Sequence, residues 1–263
     1  MIPVALTVAG SDPSGGAGIQ ADLRAFNACG VYGVSAITAL TVQTPGGVSQ
    51  IIPVDAATVA AQVEAMIESM SPRAIKTGML WSRETIEALA ETLTARWVGP
   101  LVVDPVLQAK GGERLLSADA VDALRQTLFP LAEVITPNCA EAESLTGMHI
   151  TNETEAAEAA RTLRALGPRT VVVTGGSWNE QSVDVVYDGT DVTTLTANRV
   201  ITEPVHGTGC LFASAIAAHL ALGMNTPNAL QAAKERITAW IAASVHIGAG
   251  ARVAPVVPIS DGS

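Results

Sequence analysis

The chain has 263 residues, 48% of them hydrophobic and 15% charged, which excludes extended disorder, since that needs low hydrophobicity and high charge. The net charge of −10 argues against a nucleic-acid surface built on basic residues. The mean hydropathy is +0.34, yet the apolar run Ile2–Ala9 falls short of the about 20 residues of a membrane span, and Leu211–Met224 carries His219 and reads as a buried helix.

Ile2–Ala9 is predicted as the first strand, ending at Gly10, and Ala17–Cys29 as a helix with Ile19, Leu23 and Phe26 on one face. Val34–Val42 follows as a strand rich in β-branched residues. Asp55 is predicted to cap a helix to about Ser69, and Ser82 one to about Arg96, with the short strand Ala74–Lys76 between them. Leu101–Asp104 is a buried strand, Ser117 opens a helix to Leu128, and Glu133–Thr136 is a strand stopped by Pro137. Asn138 starts a short helix, and Thr151 or Asn152 starts another to Leu166. Thr170–Val173 is a strand, and Val183–Tyr187 and Val192–Thr196 flank a hairpin turn at Asp188-Gly-Thr-Asp191. Gly207-Thr-Gly209 opens a helix to Leu222, and Thr226 with Pro227 begins a last one to about Val245. The tail from Gly248 is expected to be loosely ordered.

The alternation of strands and helices predicts an α/β fold with a mainly parallel sheet covered by helices on both faces. No shift of composition splits the chain, so one domain is expected. Cys29, Cys139 and Cys210 are far apart, with no CxxC pair, which points to a reducing, cytoplasmic setting.

In such a sheet, ligands bind beyond the carboxyl ends of the strands. The glycine-rich and polar segments follow strands at that rim: Gly10-Ser-Asp-Pro-Ser-Gly-Gly-Ala-Gly18, Gln43-Thr-Pro-Gly-Gly47, Lys76-Thr-Gly78, Asp104-Pro, Thr136-Pro-Asn138 and Thr174-Gly-Gly176. The first loop fits neither G-x-G-x-x-G nor a phosphate-binding loop with Lys. It suits either a tight connection or close backbone approach to a small ligand, with Asp22 one turn beyond Gly18 placed to face the same cavity. Val205-His-Gly-Thr-Gly-Cys210 precedes an apolar helix, so its backbone N–H groups and the helix dipole make an anion hole. Cys210 falls in the first turn, where the dipole is expected to lower the thiol pKa and make it a base, although most free cysteines are small buried hydrophobes. Cys29 and Cys139 lack that context and read as structural.

Asn138 and Glu141 share a helix face, either as a capping pair or, with Asp104, as holders of a hydrated Mg²⁺. Lys76 and Lys110 are the cations nearest the rim, Lys110 on a Gly-Gly loop either able to fold over phosphates or simply a solvated surface lysine. His206 reads as shaping the glycine turn.

Together, Leu6-Thr-Val-Ala-Gly-Ser-Asp-Pro-Ser-Gly-Gly-Ala-Gly-Ile-Gln-Ala-Asp22, Ala36-Ile-Thr-Ala-Leu-Thr-Val-Gln43, Ile75-Lys-Thr-Gly-Met-Leu80, Val103-Asp-Pro-Val106, Thr136-Pro-Asn138 with Glu141, and His206-Gly-Thr-Gly-Cys210 resemble the hydroxymethylpyrimidine/phosphomethylpyrimidine kinases of the ribokinase-like superfamily, which act in thiamine biosynthesis. The resemblance reaches to about residue 247. It implies a three-layer α/β/α sandwich and a homodimeric, ATP- and Mg²⁺-dependent phosphotransferase acting on a small aminopyrimidine, first at its hydroxymethyl group and then at the monophosphate. It implies that Gly10, Asp22 and Gln43 bind the pyrimidine. Gly207, Thr208 and Gly209 would form the anion hole, with Cys210 as base. Asp104, Asn138 and Glu141 would organise Mg²⁺, and Thr174, Gly176 and Lys110 the nucleotide. The chain departs from the family at Thr174, where Lys is frequent, at Thr202-Glu-Pro-Val205, and after Gln43. A pyridoxal kinase of the same branch, which shares the glycine loop and Thr-Gly-Gly, is the main rival and tends to lack the Gln. A catalytically idle nucleotide- or vitamin-binding protein is the reading from another class.

Overall fold

A computed structural model of the protein describes residues 1–44, 47–108, 112–117, 119–178, 181–248 and 251–256. The first half runs β1 (Val4–Ser11), α1 (Gly18–Ala28), β2 (Tyr32–Thr44), β3 (Gly47–Pro53), α2 (Ala56–Met70), β4 (Ala74–Thr77), α3 (Arg83–Arg96) and β5 (Leu101–Val103). Then come α4 (Ala120–Ala123), widening at Leu124–Leu128 and tightening at Phe129–Leu131, β6 (Val134–Ile135), α5 (Cys139–Thr146) and α6 (Glu153–Arg164). The chain continues with β7 (Thr170–Gly176), β8 (Gln181–Tyr187), β9 (Val192–Asn198), β10 (Val205–His206), α7 (Thr208–Ala221), α8 (Thr226–Ala242), β11 (Val245–Ile247) and β12 (Ala251–Val253).

Nine strands form one sheet in the order β3-β2-β1-β4-β5-β6-β7-β8-β9. The six from β2 to β7 are parallel, while β3, β8 and β9 add antiparallel edges. Period-two side-chain alternation divides the core. Leu6, Val8, Ile75, Leu101, Val103, Ile135, Val171 and Val173 meet α2 to α6 on one face. Ala5, Ala74, Val102, Val134 and Val172 meet α1, α7 and α8 on the other. With both faces covered, the strands can be hydrophobic throughout, which accounts for the positive hydropathy.

Helix starts follow local chemistry. Asp55 accepts from the Thr58 N–H at 2.9 Å, and Asn152 from that of Glu155 at 3.0 Å. The cap of α8 is Asn225, one residue before the expected Thr226, and α4 starts after Asp119 rather than at Ser117.

One strand had no sequence expectation and one expectation is corrected. Gly47–Pro53, to which the sequence assigned no element, returns as β3, pairing Leu40 with Ile52 and Ala39 with Pro53. The end of the chain is also ordered through 251–256. Helix α8 stops at Ala242, and β11 and β12 build a second sheet with β10. Arg252 holds that arrangement by donating to the hydroxyl and carbonyl of Ser244, both at 2.8 Å, while Val253, Ala254 and Val256 are buried. Among the described residues no helix is long and apolar enough to cross a membrane.

The strand order reverses direction at β1, which sends the chain to β2 on one side while β4 lies on the other. That switch opens a crevice beyond the carboxyl ends of β1 and β4.

Candidate active site

A cavity of about 230 Å³ occupies this crevice. Each strand end contributes: Gly10 and Asp12 from β1, Thr41 and Gln43 from β2, Met79 after β4, Asp104 after β5, Thr136 after β6 and Thr174 on β7. The N-terminus of α7 closes it with Gly207, Thr208, Gly209 and Cys210. Asn138 and Glu141 reach it from the start of α5. Gly176 lines an adjoining hollow with Ser177, Arg199 and Thr202, and Thr208 borders both spaces. Lys110 lies outside the described residues.

The anion hole is built by close backbone packing. Gly207 caps α7 in a left-handed conformation at φ 75°, and a Cβ there would sit 1.9 Å from the Gly16 carbonyl oxygen. Only glycine lets the first loop lie against this helix start. Helix α7 has no side-chain cap and no acidic residue in its first turn. Its leading residues line the cavity, and no side chain of its own first turn takes up their amides.

Asp22 is the correction among the substrate-contact expectations. It does not line the cavity but lies behind its wall, fully buried. There it accepts from Thr7 Oγ1 at 2.6 Å, Ser214 Oγ at 2.7 Å and Lys76 Nζ at 2.9 and 3.0 Å. Lys76 in turn reaches the cavity floor, with Nζ 3.8 Å from Asp104 Oδ2. Burial alone would discharge the ammonium, but Asp22, helped by Asp104, reverses this and holds it above the ordinary lysine range. Asp22 thus acts on the site through a lysine that sequence reading had placed only loosely.

The Cys210 thiol is also corrected. Burial pushes it up to about 12, outweighing Lys76, with Asp104 and Asp22 adding repulsion. The helix dipole does not make a resting thiolate here. Asp104 beside it has its own pKa raised by burial to about 6 against the pull of Lys76.

Asn138 and Glu141 form the capping pair. The Asn138 side chain accepts from the Glu141 N–H and the Glu141 carboxylate from the Asn138 N–H, each at 2.9 Å. This occupies one oxygen of each. Burial, then repulsion from Asp104, lifts Glu141 to about 8. Asp104 Oδ2 and Thr136 Oγ1 are buried without a hydrogen-bond partner among the described residues. Two carboxyls with raised pKa values, Asp104 adding to the rise at Glu141, beside orphaned oxygens fit a divalent cation, which would relieve these conditions.

Sequence reading missed the clamp on the first loop. Asp12 accepts from the Ser14 N–H at 2.9 Å and the Ala17 N–H at 2.8 Å, and its Oδ2 lies 3.0 Å from His206 Nε2. The Asp-Pro-Ser-Gly run signals such an Asx turn locally. The pairing with His206, 194 positions away, has no local signal.

The sequence profile of phosphomethylpyrimidine kinases matches residues 12–256. The chain belongs to this family. Among relatives of the phosphomethylpyrimidine kinase family, the hydroxymethylpyrimidine/phosphomethylpyrimidine kinase of Streptomyces coelicolor is 44% identical over 250 residues, covering 94% of this chain and 92% of that one. The thiamine biosynthesis bifunctional protein ThiED of Geobacter sulfurreducens is 48% identical over 246 residues, 93% of this chain, which spans 50% of that longer protein. A pyridoxal kinase of Bacillus subtilis, solved as an ADP complex, superimposes with a TM-score of 0.90 at 40% identity, covering 97% of both chains. The family's ribokinase-like architecture, a mostly parallel sheet between helical layers, is the one described above.

Proposed function

We propose that this phosphotransferase uses ATP to phosphorylate the hydroxymethyl group of 4-amino-5-hydroxymethyl-2-methylpyrimidine, and then the monophosphate, in thiamine biosynthesis. The observation that carries the reading is one cavity lined both by Gln43 and by the capless start of α7, bearing Cys210. Gln43 and Gly10 orient the ring, and Met79 and Val106 give it an apolar wall. Cys210, at the capless start of α7 in the same cavity, takes the hydroxyl proton once its thiol has given its own proton to water. The amides of Gly207, Thr208, Gly209 and Cys210 face the charge that grows on the transferred phosphoryl group. ATP lies from this hole toward the hollow of Gly176 and Arg199, with Thr174 and Thr208 between.

Asp104 and Glu141, with Asn138 acting through water, would hold Mg²⁺, which would neutralise phosphate charge. The homodimer and the cytoplasmic location belong to the same proposal, and light scattering checks the first.

A pyridoxal kinase is the second reading, favoured by the likeness to the Bacillus subtilis structure and by Thr174-Gly-Gly176. One coupled ATPase assay decides between them, with the hydroxymethylpyrimidine, its monophosphate and pyridoxal offered side by side. Greater kcat/KM on pyridoxal reverses the assignment. Activity on the alcohol but not on the monophosphate limits the enzyme to the first transfer.

A further inference from the structure

We propose that Thr41 and His206 are positioning residues that fix which way the Gln43 side-chain amide faces, and so set the selectivity of the cavity for a ring bearing an amine beside a ring nitrogen. The inference rests on the reading of the cavity as an aminopyrimidine site.

The Gln43 amide lies between two side chains. Its oxygen is 3.1 Å from Thr41 Oγ1, and its nitrogen is 3.5 Å from His206 Nε2. Thr41 has one hydroxyl proton, and its Oγ1 is 2.8 Å from the Ser11 carbonyl, which can only accept. The proton is committed there. Thr41 then offers Gln43 only lone pairs, and their partner must be the NH₂.

The other end demands the same arrangement. His206 Nε2 lies 3.0 Å from Asp12 Oδ2. Burial would raise the Asp12 pKa, but hydrogen bonds from His206, Ser14 and Ala17 overcome this and keep it an ionised acceptor. Nε2 therefore carries a proton whether the ring is neutral or charged. A ring N–H needs an oxygen at Gln43, not a second donor.

A half-turn of the amide exchanges its two atoms and satisfies both ends at once. The chain then reads continuously: the Gln43 NH₂ donates to Thr41, Thr41 to Ser11, and His206 Nε2–H to both Gln43 and Asp12. One N–H and one lone pair of the amide remain for a ligand, side by side. That pair complements a ring nitrogen next to an amine. An unanchored amide would flip to suit either polarity and discriminate less, because discrimination comes from polar groups that cannot re-pair with the wrong partner.

The test is steady-state kinetics on the full chain with the aminopyrimidine alcohol and its analogue bearing hydrogen in place of the amine. In Thr41→Val, KM for the aminopyrimidine should rise about tenfold, as for one lost hydrogen bond, with kcat little changed and KM for the analogue unmoved. Thr41→Ser should restore the wild-type ratio. A Thr41→Val enzyme that keeps the wild-type ratio, or raises both KM values equally, overturns the proposal. If Thr41→Val does not fold, His206→Gln, which keeps an N–H for Asp12 and Gln43, should keep the ratio while His206→Leu loses it. Retention in His206→Leu overturns the proposal. Wild-type turnover of the aminopyrimidine tests the functional reading separately. The amide itself is read from an atomic-resolution crystal structure, where nitrogen and oxygen are distinguished: NH₂ toward Thr41 supports the proposal and oxygen toward Thr41 overturns it.

Discussion

Asp22→Asn distinguishes a substrate contact from a buried counter-charge. The carboxylate has four hydrogen-bond contacts, two of them from Lys76, and no face on the cavity. An asparagine occupies the same volume. Thr7 and Ser214 meet different oxygens of the carboxylate, so the remaining oxygen can still accept from Lys76 and one hydroxyl, while the other hydroxyl can turn to accept from the NH₂. What disappears is the negative charge, leaving an ammonium with no exposure whose other carboxylate, Asp104, is 3.8 Å away. Removing one partner of a buried pair costs about 3–5 kcal/mol, and the retained hydrogen bonds place this change near about 3 kcal/mol. In urea denaturation, with a slope of about 3 kcal/mol/M, the midpoint should fall by about 1 M. Lys76→Met in the same chain should recover most of that loss, as a double-mutant cycle requires. KM for the aminopyrimidine should stay within about twofold, because a lost substrate contact would cost more, about tenfold. An unchanged midpoint with a large rise in KM would refute the reasoning and return Asp22 to the ligand.

Burial holds all three thiols in the protonated form, with Cys29 raised to about 11, Cys210 to about 12 and Cys139 also raised, so iodoacetamide at pH 8 should label the native protein far more slowly than the unfolded one, by mass spectrometry. Asp184→Ala should cost about 3–5 kcal/mol, because buried Lys234, 2.8 Å from that carboxylate, loses its counter-charge. It also releases the Gly175 N–H, held by Asp184 at 3.1 Å, so KM for ATP should rise more than KM for the pyrimidine. Glu141 binds its proton more tightly folded than unfolded, so its contribution is complete below about pH 4.5 and is lost as pH rises through about 8. Melting temperatures of the ligand-free protein from pH 5 to 8.5 should therefore fall more in wild type than in Glu141→Gln, and millimolar Mg²⁺ should restore the wild-type loss at the upper end.

The sheet was legible because its signals are local. Strands such as Leu101–Val103 are short apolar runs between turn residues, and Asp55, Ser82, Asn138 and Asn152 cap the helices that follow them. The missed parts depend on distant partners. β3 exists because Leu40 and Ile52 face one another across an antiparallel pair, and β12 because it pairs with Val205–His206, about fifty residues upstream. Asp22 failed in the same way. Its helix position was read correctly, but a helical Asp near a glycine loop can face the cavity or the sheet. The deciding partner, Lys76, is 54 positions on.

Cys210 shows how a correct motif can carry a wrong inference. The flanking glycines do bring the thiol to a helix start, where a dipole favours the thiolate. The sequence does not reveal that burial, with Asp104 and Asp22 behind the thiol, outweighs the pull of Lys76. The same cluster sharpens the meaning of the net charge of −10. Among the described residues that line the cavity, three carboxylates, Asp12, Asp104 and Glu141, stand against Lys76 and His206. Lys76 is already neutralised by Asp22, and His206 is engaged by Asp12. No free basic side chain among these lining residues is left to receive a phosphate. Within this cavity attraction must come from backbone amides at α7 and from a cation that the remaining carboxylates can hold, with Arg199 waiting in the adjoining hollow. An acidic chain can therefore handle a polyphosphate, provided its glycines let the backbone approach and its two raised carboxyls give up their protons to a metal.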